Sequence, residues 1–378
     1  MTKRLLRSLI QIWLKSCRRS PSAGFTLLEV LIVALIAGAI VSGLLFMIVQ
    51  LLTADQQESS RTETQREMQL AMDFIASELR EAVYVYTGSC LRGTTATPTS
   101  VRDCPGLPAY LPASLSAAST SATTGSVPVL AFWRQNRIPR GLQERCRTET
   151  TIPTVGGVEV PCVSGHSYAL VVYSLSLANP SNTWQGEARI TRYMLEEFQR
   201  NSSVSSETAP NSFVRTPGYV NPSLYGNIFD SWPWYGNASN TIVNMQLTNG
   251  GRPTGNPQVL VDYVDDGRVG TAVSGTADDN PIIGTGTGAT LCDPLTGTPT
   301  TAPFEISPHP EMLNRDRFRN VRSFYACVSR LPTTQYREVQ LFLRGNANGR
   351  PGVGTDAFLP TLETRVLSRA VLERTLQR

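Results

Sequence analysis

The chain has 378 residues, 41% of them hydrophobic, a formal net charge of +4 and only two histidines. The basic excess is local: Lys3, Arg4, Arg7, Lys15, Arg18 and Arg19 precede Phe25 with no acid among them, and subtracting those six leaves −2. The rest of the chain therefore offers no electrostatic footprint for nucleic acid, and its length allows one or two domains.

A secretory signal peptide has a short apolar core that ends at its cleavage site. Here a basic leader, residues 1–24, ends before the apolar segment begins, with Ser22-Ala23-Gly24 at the border. A cut after Gly24 would leave the apolar segment on the mature chain. The uncharged run Val30–Ala54 holds 25 residues, about 37 Å as a helix, against a hydrocarbon core of about 30 Å. Residues 25–54 are expected to span a membrane. Basic residues before the span and acids from Asp55 onward put the leader in the cytoplasm and the C-terminal domain across an inner membrane, in a single pass. One acid, Glu29, breaks the pattern. An ionised carboxylate at the bilayer centre costs about 2.5–3.5 kcal/mol. Glu29 therefore needs a partner, and the expected one is another copy or a relative of this chain.

From residue 55 to 83 the sequence turns polar but keeps a helical rhythm. Met68, Met72, Ile75 and Leu79, flanked by Ala71, Ala82 and Val83, recur at steps of three and four. Arg61, Glu63, Arg66, Glu67, Glu78, Arg80 and Glu81 are assigned to the solvated face. Phe25–Val83 thus reads as one helix, membrane span first and spine of an external domain second.

The external domain, 84–378, is rich in Gly, Pro, Ser, Thr and Asn. Strands are expected at Val127–Trp133, Tyr168–Leu177, Ala188–Leu195, Gln258–Val264, Arg322–Ser329 and Tyr336–Arg344, with a last one within Leu362–Gln377. Short strands after one long helix imply an α+β fold, an antiparallel sheet packed on the helix. Long loop insertions fall at about 93–127, 201–256 and 265–303.

Six cysteines (Cys90, Cys104, Cys146, Cys162, Cys292 and Cys327) lie beyond the apolar run, an even set that fits an oxidising compartment. The sequential pairing 90–104, 146–162 and 292–327 closes the shortest loops and is the expected one. The insertion 201–256 gathers Tyr219, Tyr225, Phe229, Trp232, Trp234 and Tyr235 among Asn, Gly and Pro. Such rings, Trp232 and Trp234 above all, could stack on a glycan; a small satellite core is the plainer expectation. Asp265, Asp266, Asp278 and Asp279 could lend oxygens to calcium, but they fit no EF-hand spacing and exposed turn acids are expected. No cofactor is implied. No G-x-S-x-G, H-E-x-x-H or P-loop occurs, so a structural subunit is expected rather than an enzyme.

Gly24-Phe25-Thr26-Leu27-Leu28-Glu29, followed by the long apolar run, resembles the class III signal of type IV pilins and type II secretion pseudopilins. The resemblance implies a prepilin peptidase that cuts between Gly24 and Phe25 and N-methylates Phe25, and makes Glu29 the assembly acid at mature position five. It also implies other pilins or pseudopilins, an assembly ATPase, an inner-membrane platform protein and a pilus, pseudopilus or cell-surface destination. Some pseudopilins bind calcium in the region of the last insertion. The helix-kinking proline common in major pilins is missing: none occurs between Pro21 and Pro98. Ala71-Met72-Asp73-Phe74-Ile75-Ala76-Ser77-Glu78-Leu79-Arg80 and Leu341-Phe342-Leu343-Arg344-Gly345-Asn346-Ala347 resemble the hormogonium polysaccharide secretion pseudopilins of filamentous cyanobacteria. That narrower resemblance implies a minor subunit that supports polysaccharide secretion and gliding. The chain is also similar to large minor pilins of twitching and surface attachment, which implies the alternative of a glycan-binding tip adhesin.

Overall fold

The computed structural model describes residues 25–92, 104–115, 125–179, 181–224, 228–236, 242–266, 292, 304–309, 323–329, 337–353 and 359–368. The chain divides into two compact units, residues 1–56 and 57–378. Helix α1 covers Leu27–Arg80. The described part of the first unit is the opening of α1, and every residue from Phe25 to Gln56 is exposed.

The second unit begins with the rest of α1 and continues into two antiparallel sheets, the expected α+β arrangement. The first sheet runs in chain order: β1 (Ala82–Val85), β2 (Ser126–Arg137), β3 (His166–Ser176), β4 (Ala188–Leu195) and β5 (Gln258–Val264). The second is also a meander: β6 (Phe304–Ser307), β7 (Phe324–Ser329), β8 (Arg337–Arg344) and β9 (Thr361–Ser368). A helix α2, Arg140–Thr148, follows β2 and was not expected from the sequence. Its nine residues carry only Leu142 and Cys146 as an apolar step of four, too short a signal to stand out. The last expected strand is realised up to Ser368; the remainder of Leu362–Gln377 lies outside the described residues.

One core serves both sheets. Met68, Ala71, Met72, Ile75 and Leu79 of α1 pack with Val171 and Tyr173 of β3, Ile190 of β4, Phe324 and Ala326 of β7, and Leu341 of β8. The opposite face of the first sheet is covered as well. There Trp133, Leu170, Val172 and Leu195 meet Tyr219, Val220, Ile228 and Trp232 from the insertion 201–256. Coverage on both faces explains why the first eight residues of β2 are buried without alternation, as strands buried on two sides read as continuous apolar runs. The sheets are tied at their ends. Val264 bridges Gly345, Asn346 N–H donates to the Tyr263 carbonyl at 2.7 Å, and Arg344 Nε donates to Asp265 Oδ2 at 2.8 Å in a buried pair. Gly88 marks the tightest crossing: a β-carbon there would lie 1.9 Å from the Ile306 carbonyl oxygen.

Glu78 departs from the solvated face that its charge predicts. It lies not on the solvated face but 6% exposed, one step of three beyond Ile75 on the buried stripe. Its carboxylate accepts hydrogen bonds from Arg192 Nε (2.9 Å) and Nη2 (2.7 Å) on β4 and from the Tyr173 hydroxyl on β3, and pairs with Arg134 Nη1 on β2 at 3.0 Å. Burial alone would raise the Glu78 carboxyl. The hydrogen bonds from Arg192 and Tyr173 and the charges of Arg192 and Arg134 outweigh it and hold the group below the usual carboxylate range. A folded-state pKa below the unfolded one stabilises the fold above the unfolded pKa; that contribution fades as pH falls through the folded value. Glu78→Ala is expected to cost about 3–5 kcal/mol near neutral pH, because two guanidiniums lose their shared counter-charge. The loss relative to wild type should shrink as pH drops below about 4.5. Denaturant titration of both chains across that range checks the size and the sign.

Candidate functional site

Thr26 caps α1. Its hydroxyl accepts from the Glu29 backbone N–H at 3.3 Å, and its carbonyl accepts from the N–H groups of Glu29 (3.0 Å) and Val30 (3.2 Å). Thr26-Leu27-Leu28-Glu29 therefore has the Thr-x-x-Glu order of a capping box, a local signal that the sequence reading passed over. Phe25 stands just ahead of the cap, 78% exposed. Glu29 lies in the first turn, where the free N–H groups favour a carboxylate by about 0.3–1 kcal/mol. That is less than the cost of an ionised carboxylate in lipid, about 2.5–3.5 kcal/mol at the centre. The cap accounts for the conformation at Glu29 and not for an acid on such a helix.

The rest of this segment is apolar on all sides. Leu27, Leu35, Phe46, Met47 and Leu51 point in different directions, and each is more than 60% exposed. Such a helix belongs in a membrane or among other apolar helices. Its two hydroxyls turn inward: Ser42 donates to the Gly38 carbonyl at 2.7 Å and Thr53 to the Val49 carbonyl at 2.9 Å. Each finds its acceptor one turn back, so lipid would leave neither unmet. Among the described residues α1 is the one helix long and apolar enough to cross a membrane. Gly24 lies outside the described residues.

The structure separates the other candidates. Trp232 is fully buried, its ring edge-on to Trp133 at 5.5 Å between centroids and its Nε1 donating to the Val220 carbonyl at 2.9 Å. It offers no face to a sugar, which corrects the glycan reading at Trp232 and leaves that ring in the satellite core. Trp234 is half-buried against Tyr110. Tyr219 and Phe229 join the same satellite core, and Tyr225 lies outside the described residues. Asp265 and Asp266 are buried rather than exposed turn acids. Arg344 occupies one carboxylate oxygen of Asp265 through both Nε and Nη2. Asp278 and Asp279 lie outside the described residues, among which no cluster of three metal-ligating side chains forms. Disulfides join Cys90 to Cys104, Cys146 to Cys162 and Cys292 to Cys327. Each pins a segment to its own neighbourhood: the second fastens α2, and the third docks Cys292 beside Tyr325 on β7.

Residues 19–45 match the model described as the prokaryotic N-terminal methylation motif. With the apolar helix it introduces, the motif supports a type IV pilin-like protein anchored in a membrane. It implies processing by a prepilin peptidase and assembly with other pilins. No curated protein and no solved structure matches the chain.

Glu197 follows β4 and borders a polar cavity of about 450 Å³ together with Asn221 and Ser167. It is 2% exposed. Burial pushes its carboxyl up to about 7; the Arg215 charge and a hydrogen bond from Asn221 pull it only part of the way back. A raised carboxyl binds its proton more tightly in the folded state. The associated stability is complete below the unfolded pKa near 4.5 and is lost as pH rises towards 7. Glu197→Gln, which needs no proton, is expected to match wild type near pH 4.5 and to be more stable by on the order of 3 kcal/mol at pH 8. Thermal unfolding of the two chains at both pH values tests this, and equal stabilities at pH 8 would refute it.

Proposed function

We propose that this chain is a minor pilin or pseudopilin, a structural subunit of a pilus-like or type II secretion-like assembly rather than an enzyme. The observation that carries the reading is Glu29, an acid at the capped head of a helix apolar on every side, directly behind the Gly24–Phe25 border. Between Phe25 and Ala54 the sequence holds no basic side chain, so the compensating charge comes from elsewhere.

A prepilin peptidase cuts after Gly24 and methylates the new Phe25 amine, which stays cationic. Glu29 of an incoming subunit meets the Phe25 amine of a neighbour in the bilayer, and both charges are neutralised. The apolar stems then bundle, with the external domain across the inner membrane from the leader. An assembly ATPase and a polytopic platform protein supply work and scaffold. The size of the external domain, its three disulfides and its insertions suit a minor subunit at a tip or in initiation better than a bulk polymer. The exported material in this reading is a polysaccharide that supports gliding.

Truncating one partner of a buried charge pair costs about 3–5 kcal/mol. Glu29→Ala should therefore still be cleaved and inserted, yet be depleted at least a hundredfold from sheared filaments or cross-linked stems, roughly the ratio that 3 kcal/mol implies. Normal recovery would refute the assembly role of Glu29. Mass spectrometry of the membrane-extracted protein provides the second check: the expected N-terminus is methylated Phe25, and a retained leader would remove the cationic partner from the scheme.

A further inference from the structure

β1 is only four residues long and its first residue, Ala82, pairs with Arg134. The last three residues of the twelve-residue β2 therefore run on past it, beside the end of α1 at Arg80. The second sheet closes the far side with Arg365–Leu367 of β9. The space left between them is a cleft of about 1020 Å³, lined among the described residues by four arginines and a single acid, Glu81.

Not all of those charges are available. Arg134 is held by Glu78 at 3.0 Å and Glu81 at 3.3 Å. Arg80 suits the last turn of α1, where a cation complements the free carbonyls. Neither account extends to Arg137 and Arg365. Arg137 is exposed and forms no ion pair among the described residues. Arg365 meets Glu363 at 3.7 Å with both side chains at least half exposed, a contact worth little in water. Beyond the leader the chain is net negative, so this concavity gathers guanidiniums against the overall balance. Gln135 and Asn136 stand between the arginines, and Gln135 and His166 also border the polar cavity beside Glu197, so the two hollows adjoin.

We propose that this cleft binds an acidic polysaccharide, a linear polymer bearing carboxylate or sulfate groups. Guanidinium forks match planar carboxylates and sulfates with paired hydrogen bonds. Amides and hydroxyls, as on Gln135 and Ser77, both donate to and accept from sugar hydroxyls. Among the described residues no phenylalanine, tyrosine or tryptophan ring lines the cleft, and sequence-tolerant binding of single-stranded nucleic acid relies on such stacking platforms. The cleft belongs to the external domain and acts independently of Glu29, so a Glu29→Ala chain should bind the same polymer as wild type.

The test uses the full chain in neutral detergent, titrated with polygalacturonate, with uncharged dextran of the same length and with single-stranded DNA. Polygalacturonate should bind and weaken with added salt, dextran should not bind, and DNA should bind more weakly than polygalacturonate. Arg137→Gln with Arg365→Gln should lower polygalacturonate affinity at least about tenfold while leaving the melting temperature unchanged, since both side chains are exposed. Arg80→Gln, at the end of α1, should weaken binding by a smaller factor. Unchanged affinity in the double variant, equal binding of dextran, or tighter binding of DNA would each overturn the proposal.

Discussion

The external domain is organised around one buried carboxylate. Glu78 takes hydrogen bonds or ion pairs from three consecutive strands, through Arg134 on β2, Tyr173 on β3 and Arg192 on β4. Apolar packing alone would tolerate several helix orientations, because Met68, Ala71, Met72 and Ile75 are similar in chemistry and adaptable in shape. A charge that must meet two guanidiniums and a phenol is less tolerant. Slipping α1 by one residue turns it through about 100° and strands Glu78 away from all three partners. The hydrophobic stripe drives α1 onto the sheet, and the Glu78 cluster selects the register in which it settles.

The same helix end shapes the surface around it. α1 stops at Arg80, Glu81 makes the turn, and β1 starts at Ala82 directly opposite Arg134. Arg134 is spent on Glu78 and Glu81, whereas Arg137, three residues further along β2, forms no ion pair among the described residues. The cleft between β2 and β9 follows from this geometry: a short first strand beside a long second one leaves an edge that the second sheet approaches but does not cover.

How much of this was legible in the sequence depended on how locally each feature is encoded. The uncharged run before Asp55 needs no tertiary information, and its length and composition suffice to identify a membrane-type helix. Five of the expected strands, β3, β4, β5, β7 and β8, end within two residues of the observed ones, because apolar runs between turn residues carry their own signal; β2 runs four residues past its expected end, the helix stops at Arg80 rather than Val83 and gives way to the unexpected β1, and β6 was not expected either. Glu78 was misassigned because an acid counts as polar whatever pairs with it. Its spacing of three from Ile75 held the clue, but Arg134, Tyr173 and Arg192 lie 56 to 114 positions away. Trp232 illustrates the converse. Aromatic residues in a Gly- and Asn-rich insertion look like a display surface until the second face of the sheet is seen to need a cover. The joining of the two sheets rests on the long-range pairing of Val264 with Gly345 and of Asp265 with Arg344, which no local pattern announces.

The treatment of buried acids also bears on the stem. Glu78 and Asp265 are each met by arginine from a distant part of the chain, and the half-buried Glu67 is met by Arg350, which also pairs with Glu63 at 2.7 Å. Where a buried carboxylate of this fold is compensated by charge, as at Glu78 and Asp265, the partner is a guanidinium from a distant part of the chain; the buried Glu197 instead holds its proton, its carboxyl pushed up to about 7. Glu29 has no such provision between Phe25 and Ala54, where every side chain other than Glu29 is uncharged. The capping box holds its backbone but contributes less than lipid burial of the charge costs. The proposed assembly supplies that compensation from outside. Its cation in that proposal is the amino terminus created by a cut before Phe25, one turn from Glu29 along the helix and present on every processed subunit.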